Sequence, residues 1–184
     1  LNHDGKNSLS HSLPSQLIFE QAKMTGLPII QRAVLKEKYE QEFKALIREW
    51  KREKDIKGII FGDIYLQEHK DWIDRVCSQI EVEAIMPLWG RDTRELIDEF
   101  VKAGFEAILI ATNADFLGEE WLKRQINEEF IKDMEALGNI DLCGEKGEYH
   151  TFVFDGPIFK EPAKFTTGRK IFRDKHYFLE MFLP

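Results

Sequence analysis

From residue 13 onward the apolar positions of the chain alternate between a helical rhythm and short unbroken runs. Residues 13–25 have helical spacing and end at Gly26, with Pro28 just beyond, and Ile29-Ile30 reads as the start of a short strand. Beyond Tyr39, the residues Phe43, Leu46, Ile47 and Trp50 recur at helical intervals, with Glu, Lys and Arg on the opposite face. Residues 58–63, Gly-Ile-Ile-Phe-Gly-Asp, form a compact apolar run closed by Gly62-Asp63. Leu66, Ile73, Val76, Cys77 and Ile80 make a second helical stripe, and Ala84-Ile85-Met86 a second apolar run stopped by Pro87. Asp92 and Glu95 stand at capping-box spacing ahead of Leu96, Ile97, Phe100 and Val101, and Gly104 ends that helix. Residues 107–111 are a third apolar run.

Short, uniformly apolar strands separated by amphipathic helices predict an α/β fold, a parallel sheet with helices on both faces. In such sheets ligands gather beyond the C-terminal strand ends. Gly62-Asp63, Pro87-Leu88-Trp89 and Thr112-Asn113 fall at such ends. A carboxylate at Asp63 suits Mg²⁺ or a ribose hydroxyl, and it equally suits a helix N-cap. After residue 111 the pattern changes. Trp121, Leu122, Ile126, Phe130, Ile131, Met134 and Leu137 read as one long amphipathic helix ending at Gly138. Residues 164–183 are strand-rich, with residues 173–176 as a hairpin turn. We therefore expect a smaller α+β domain that starts between residues 104 and 118, and divide the chain into 1–106 and 107–184.

A chain of 184 residues can bury roughly 70% of its unfolded surface and needs no disulfide or structural metal to fold. Its two cysteines, Cys77 and Cys143, fit no zinc spacing and read as free thiols of a reducing cytoplasm. No apolar run approaches the roughly 20 residues that span a bilayer, so no membrane partner is expected. The net charge of −7 argues against general nucleic-acid affinity. Arg169-Lys170 with Arg173 and Lys175 is the one local basic patch, and solvated hairpin charge accounts for it. "HDGKNS", residues 3–8, has the look of a phosphate loop but lacks the flanking strand and helix, so Asp4-Gly5 reads as a plain turn. His-Glu-x-x-His, Cys-x-x-Cys, Gly-x-Gly-x-x-Gly and Gly-x-Ser-x-Gly motifs are absent.

Residues 144–159, GEKGEYHTFVFDGPIF, concentrate the titratable chemistry. Gly144 and Gly147 permit tight backbone geometry around Glu145 and Glu148. His150 lies two residues past Glu148, on the same side of an extended chain. Two carboxylates and an imidazole near one point could bind a divalent metal, hold an ammonium or relay a proton. The alternative is a polar turn in which Glu148 caps backbone N–H groups and His150 is a satisfied edge residue.

The stretch CGEKGEYHTFVFDGP, residues 143–157, resembles the Cys-Gly-Glu-x-Gly-Glu-Tyr-His-Thr signature of the diphthine–ammonia ligase family, within the PP-loop ATP pyrophosphatase superfamily. Ser10-His11, with Leu17 and the helix to Gly26-Leu27-Pro28, is similar to the family's Ser-x-His-Gly stretch. Phe61-Gly62-Asp63-Ile64 with His69 and Trp72, then Pro87-Leu88-Trp89, Gly104-Phe105-Glu106-Ala107 and Trp121-Leu122 with Arg124, resemble further family segments in order. The resemblance covers about residues 8–160. It implies a Rossmann-like nucleotide-binding sheet followed by a domain carrying the signature. It also implies ATP with Mg²⁺ as cofactors and activation of a carboxylate as an acyl-adenylate, with release of AMP and pyrophosphate. Ammonia then attacks, as in diphthamide formation on translation elongation factor 2 in archaea and eukaryotes. By this resemblance Glu145, Glu148 and His150 are the catalytic candidates. Gly144, Gly147, Tyr149, Thr151 and Arg124 are candidates for substrate binding, and His11, Gly62 and Asp63 for cofactor binding. No metal-ligating set is expected, and a homodimer is among the expected assemblies.

The chain departs from the family pattern in three places. The Ser-Gly-Gly-x-Asp-Ser phosphate loop, expected on a first strand about 35 residues ahead of His11, is not within residues 1–184, and the chain begins at Leu1 rather than Met. The expectations are a sheet with an open strand edge and weak ATP binding by this polypeptide alone. Ser12 and Lys123 stand where the family has glycine. The alternative functions are a bacterial relative acting on another carboxylate or small molecule, and a non-catalytic protein that binds a nucleotide or a partner.

Overall fold

The computed structural model describes residues 1–9 and 11–184; Ser10, the first residue of the Ser-x-His-Gly resemblance, lies outside the described residues. The chain forms two compact units, Val34–Asp92 and the pair Leu1–Ala33 with Thr93–Pro184. This division differs from the expected boundary between residues 106 and 107.

In the first of these units, helices α2 (Tyr39–Lys54) and α3 (Gln67–Ile80) accompany strands β1 (Gly58–Ile60) and β2 (Glu83–Ile85). The strands pair in parallel, Ile59 opposite Ala84 and Ile60 opposite Ile85. Ile59 and Ala84 pack with Ile73, Val76, Cys77 and Ile80 of α3 and with Phe43 and Ile47 of α2. Alternation sends Ile60 and Ile85 the other way, where Ile60 is 72% exposed. The helices of this unit thus cover one face of its sheet. Among the described residues the sheet holds two strands, each with one unpaired edge.

The other unit is built on an antiparallel sheet of order β4-β3-β6-β5, with β3 Glu106–Asn113, β4 Tyr149–Asp155, β5 Thr166–Arg173 and β6 His176–Phe182. The third apolar run therefore does not join β1 and β2. It is β3, antiparallel to both β4 and β6. Its physical character explains the misreading. Residues 107–112 are buried on both faces of the sheet, which gives the unbroken apolar run typical of a parallel strand. One face packs Ile108, Ile110, Phe152, Leu179 and Met181 under Leu13 and Leu17, the latter on α1 (Ser15–Thr25). The other packs Ala107, Leu109 and Tyr149 under Ile97 of α4 (Thr93–Lys102) and under Phe130, Ile131 and Met134 of α5 (Glu128–Leu137).

Several local expectations need adjusting. Residues 27–35 carry no strand, so Ile29-Ile30 does not start one. The long helix read from Trp121 to Leu137 is a 3-10 turn at Glu119–Trp121 followed by α5, whose N-cap Asn127 accepts the Phe130 amide at 2.8 Å. The hairpin turn stands where expected. Asp174 and Lys175 have φ of 51° and 62°, the left-handed pair of a two-residue turn matched to strand twist. Gly5 turns the chain at φ 71° and its amide donates to the Asn2 carbonyl, a plain turn as expected. No helix of the described residues is long and apolar enough to cross a membrane.

Lys123 holds φ at 73°, and its amide donates to the Leu109 carbonyl while the Arg124 carbonyl accepts from the Leu109 amide, both at 2.9 Å. The geometry of a glycine is kept here by a residue that pays a steric penalty for it. Lys123 is exposed, so Lys123→Gly should stabilise the fold by about 0.5–1 kcal/mol. Lys123→Val should destabilise it by about 1 kcal/mol or more, because a β-branched residue is an outlier at positive φ. Denaturant titration checks both, and equal midpoints for all three proteins would contradict the strain.

Candidate functional site

Residues 141–148 close on two carboxylates. Asp141 Oδ1 accepts from the amides of Cys143 at 2.9 Å and Glu145 at 3.2 Å. Glu148 Oε1 accepts from the Asp141 amide and Oε2 from the Lys146 amide, each at 3.1 Å. The Gly144 amide donates to the Asp141 carbonyl and the Gly147 amide to the Gly144 carbonyl, at 3.0 and 2.9 Å. The amides of residues 141 and 143–147 are thus consumed inside the loop. They do not converge outward in the way that a phosphate cradle requires.

Glu148 is 1% exposed, and a carboxylate is tolerable there because donors meet both of its oxygens. Gly144, at φ 68°, is needed twice over. A Cβ would lie 3.0 Å from the Tyr149 carbonyl oxygen and 3.1 Å from its ring. Gly147, at φ 82°, serves by conformation alone, since a Cβ there would meet nothing within 4 Å. Tyr149 is buried, donates its hydroxyl to the Leu142 carbonyl, and meets Phe130 edge-on at 5.7 Å. Burial, then the charges of Cys143, Asp141 and Glu148, push its pKa well above the usual phenol range, so it stays a donor. Glu145 is half-buried and anchored by its backbone on Asp141. Thr151 is a half-buried strand residue opposite Leu109.

Alternation along β4 turns Tyr149 and Val153 to one core and Phe152 and Phe154 to the other, which sends His150 to the face that carries α1. There its ring meets His11 edge-on, centroids 4.5 Å apart. His150 stands opposite Ala111, and Ala111 opposite Phe178. Burial, reinforced by His11 and then His176, lowers the His150 pKa to about 4, and partial desolvation lowers that of His11, which remains exposed at the surface. Ser12, at φ 52°, accepts from Arg173 Nη2 at 3.2 Å. His11, expected as a nucleotide contact, thus belongs with the signature histidine in one unit.

The other candidates have settings of their own. Arg124 donates to Asp133 at 2.6 Å and stacks over Trp121 at 4.5 Å, which occupies its guanidinium within the fold. Gly62 and Asp63 follow β1 in the other unit, and Asp63 Oδ1 lies 2.8 Å from His69 Nδ1. A Cβ at Gly62 would meet nothing within 4 Å. Among the described residues, no three His, Cys, Asp or Glu side chains converge as a metal site. Sequence reasoning passed over Asp141, although an acid just ahead of a glycine turn is an Asx-turn signal. It also read Arg173 as solvated hairpin charge and His176 as a turn residue. The β5–β6 register sets Arg173 opposite His176; His176 acts on His150, and Arg173 reaches Ser12, the neighbour of His11.

Glu148→Gln tests the loop. The side chain keeps its shape, but its NH₂ must face a backbone N–H where an oxygen now accepts. We expect a loss of about 1–3 kcal/mol in unfolding free energy, read from the denaturant midpoint at constant slope. An unchanged midpoint would remove Glu148 from the centre of the loop.

Comparison with known proteins gives this architecture a family. The family model for the diphthamide synthase N-terminal domain matches residues 1–84, and that for the diphthamide synthase C-terminal domain matches residues 92–181. The chain is similar to the diphthine–ammonia ligase of Danio rerio, 27% identical over 127 residues, covering 66% of this chain and 49% of that protein. The Rattus norvegicus diphthine–ammonia ligase is 25% identical over 134 residues, 71% of this chain and 50% of that protein. That of Schizosaccharomyces pombe is 28% identical over 128 residues, 68% of this chain and 21% of that protein. The chain therefore spans about half the length, or less, of these relatives. With both domain matches in order, and the Gly-Glu-Lys-Gly-Glu-Tyr-His-Thr loop in the second, the chain belongs to the diphthamide synthase family.

Proposed function

We propose that the protein joins ammonia to a carboxylate as an amide at the expense of ATP. The observation that carries this reading is the match to both diphthamide synthase domains, supported by relatives named diphthine–ammonia ligase. When bound, ATP supplies the adenylyl group that makes the carboxylate an electrophile, with pyrophosphate released. The proposed acceptor is diphthine on translation elongation factor 2, and the alternative is another carboxylate.

Asp63 and Gly62, beyond the C-terminal end of β1, would hold the ribose hydroxyls or Mg²⁺. The open space at Gly62 and the position of Asp63 fit that role. The family's phosphate-cradling loop is not part of residues 1–184. The signature loop contributes position. Glu148, occupied by two amides, fixes the start of β4, and Glu145 is the carboxylate proposed to hold ammonium beside the acyl carbon. Ammonium has no lone pair, so it first gives one proton to solvent; as ammonia then forms the C–N bond and AMP departs with the electron pair of the broken C–O bond, the nitrogen must lose a second proton. His150 is neutral at physiological pH, its pKa being lowered to about 4, and is proposed to accept that proton.

The test is product analysis with the full-length protein, ATP, ammonium and candidate carboxylates. The reading expects AMP and pyrophosphate in step with amide, dependent on both ammonium and acceptor. His150→Gln should lower turnover by about 10²–10⁴-fold with nucleotide affinity unchanged. Release of ADP in place of AMP, or AMP formation indifferent to ammonium, would contradict it.

A further inference from the structure

Three segments distant in sequence meet at one end of the antiparallel sheet: His11-Ser12 ahead of α1, His150 on β4, and the β5–β6 hairpin with Arg173 and His176. Arg173 differs in its partners from four other arginines of this acidic chain. Arg169 is paired with Glu180, Arg94 with Asp98 and Glu135, Arg124 with Asp133 and Arg75 with Glu40. Arg173 instead donates to the neutral Ser12 hydroxyl and lies over Phe178 at 5.1 Å; its nearest carboxylate, Asp174, is 3.7 Å from Nε and widely exposed. Among the described residues no carboxylate hydrogen-bonds to the rings of His11 or His150. His176 Nδ1 is tied to the Asp174 carbonyl at 2.8 Å. Among the described residues, Lys175 and Asp115 at this end pair with each other at 3.4 Å, and Glu148 behind His150 is turned into its own loop. Ser12 is also held at positive φ, a strained backbone at the point where Arg173 arrives.

We propose that this cluster binds an oxyanion, a carboxylate or phosphate group of a ligand, between the Arg173 guanidinium and the imidazoles of His11 and His150. The inference stands on the cluster's geometry and not on the amide-forming reading, and its test uses no ATP. The two rings sit together because both are neutral when the site is empty. An anion within about 4–6 Å favours their charged forms, so binding takes up a proton. The empty-site pKa of His150 is about 4, and the filled-site pKa must be higher. Affinity therefore falls as pH rises above the filled-site value, by up to about tenfold per pH unit per histidine, as long as the ligand keeps its charge.

Histidine side-chain ¹H–¹⁵N spectra recorded across a pH series, with inorganic phosphate or acetate against chloride at matched ionic strength, test this directly. The expected result is a rise of about one unit or more in the His150 pKa with at least one of the two anions. Calorimetry in two buffers of different ionisation enthalpy should show matching proton uptake. A response to acetate alone assigns a carboxylate ligand, and a response to phosphate alone a phosphate ligand. Arg173→Gln should weaken the response at least about tenfold, the scale of one lost charge-assisted contact, whereas Arg169→Gln, paired outside the cluster, should leave it intact. Backbone spectra establish that each variant is folded. His11 and His150 titration curves that neither anion moves, in the folded wild-type chain, would overturn the proposal.

Discussion

Glu148 places a carboxylate where almost no water reaches it, and such a charge is costly unless donors surround it. The chain supplies those donors from its own backbone, at Asp141 and Lys146. Meeting both amides forces residues 141–147 into a closed curl. That curl requires positive φ at Gly144 and Gly147 and brings Gly144 against the Tyr149 backbone. Asp141 locks the same curl from the other side. The polarity at the mouth of a buried strand is therefore largely internal to the loop. Its outward consequence is the phase of β4. With Tyr149 pinned into one core by Phe130 and its bond to Leu142, His150 must emerge on the opposite face, beside His11.

The strand that carries most of this packing is β3. Flanked by β4 and β6 and covered on both faces, it joins the core under α1 to the core under α4 and α5. A continuous apolar run reports burial on both sides and carries no information about strand direction, so residues 107–111 were legible as a buried strand and illegible as an antiparallel one. Ile59 and Ala84 were legible for a different reason. The amphipathic stripes of α2 and α3 on either side demanded a shared sheet face, and the parallel pairing supplied it. The break before α5 was hidden because Trp121, Leu122 and Ile126 keep apolar character in a 3-10 turn and loop that pack on the two cores of the unit.

For the site, the sequence carried the loop further than it carried its neighbours. The glycine–acid spacing of residues 144–148 announced a constrained turn, and the capping reading of Glu148 agrees with its two amide bonds. The histidine cluster could not be read in advance, since His11, His150 and Arg173 are far apart in the chain and only the tertiary contacts of His11 with His150 and of Arg173 with Ser12 gather them. Ser12 and Lys123 show the same limit from another side. Both keep a left-handed backbone without being glycine, which no local propensity would suggest.

Native-state hydrogen exchange of individual amides decides whether Glu148 organises residues 141–147 from inside. The amides of Asp141, Cys143, Glu145 and Lys146 should be protected together in the wild-type chain. In Glu148→Ala they should lose protection as a group while the β3–β4 ladder around Phe152 keeps its own. Exchange of the Asp141 and Lys146 amides at the rate of an unstructured chain, in the wild-type protein with that ladder protected, would show that the buried carboxylate does not hold the loop.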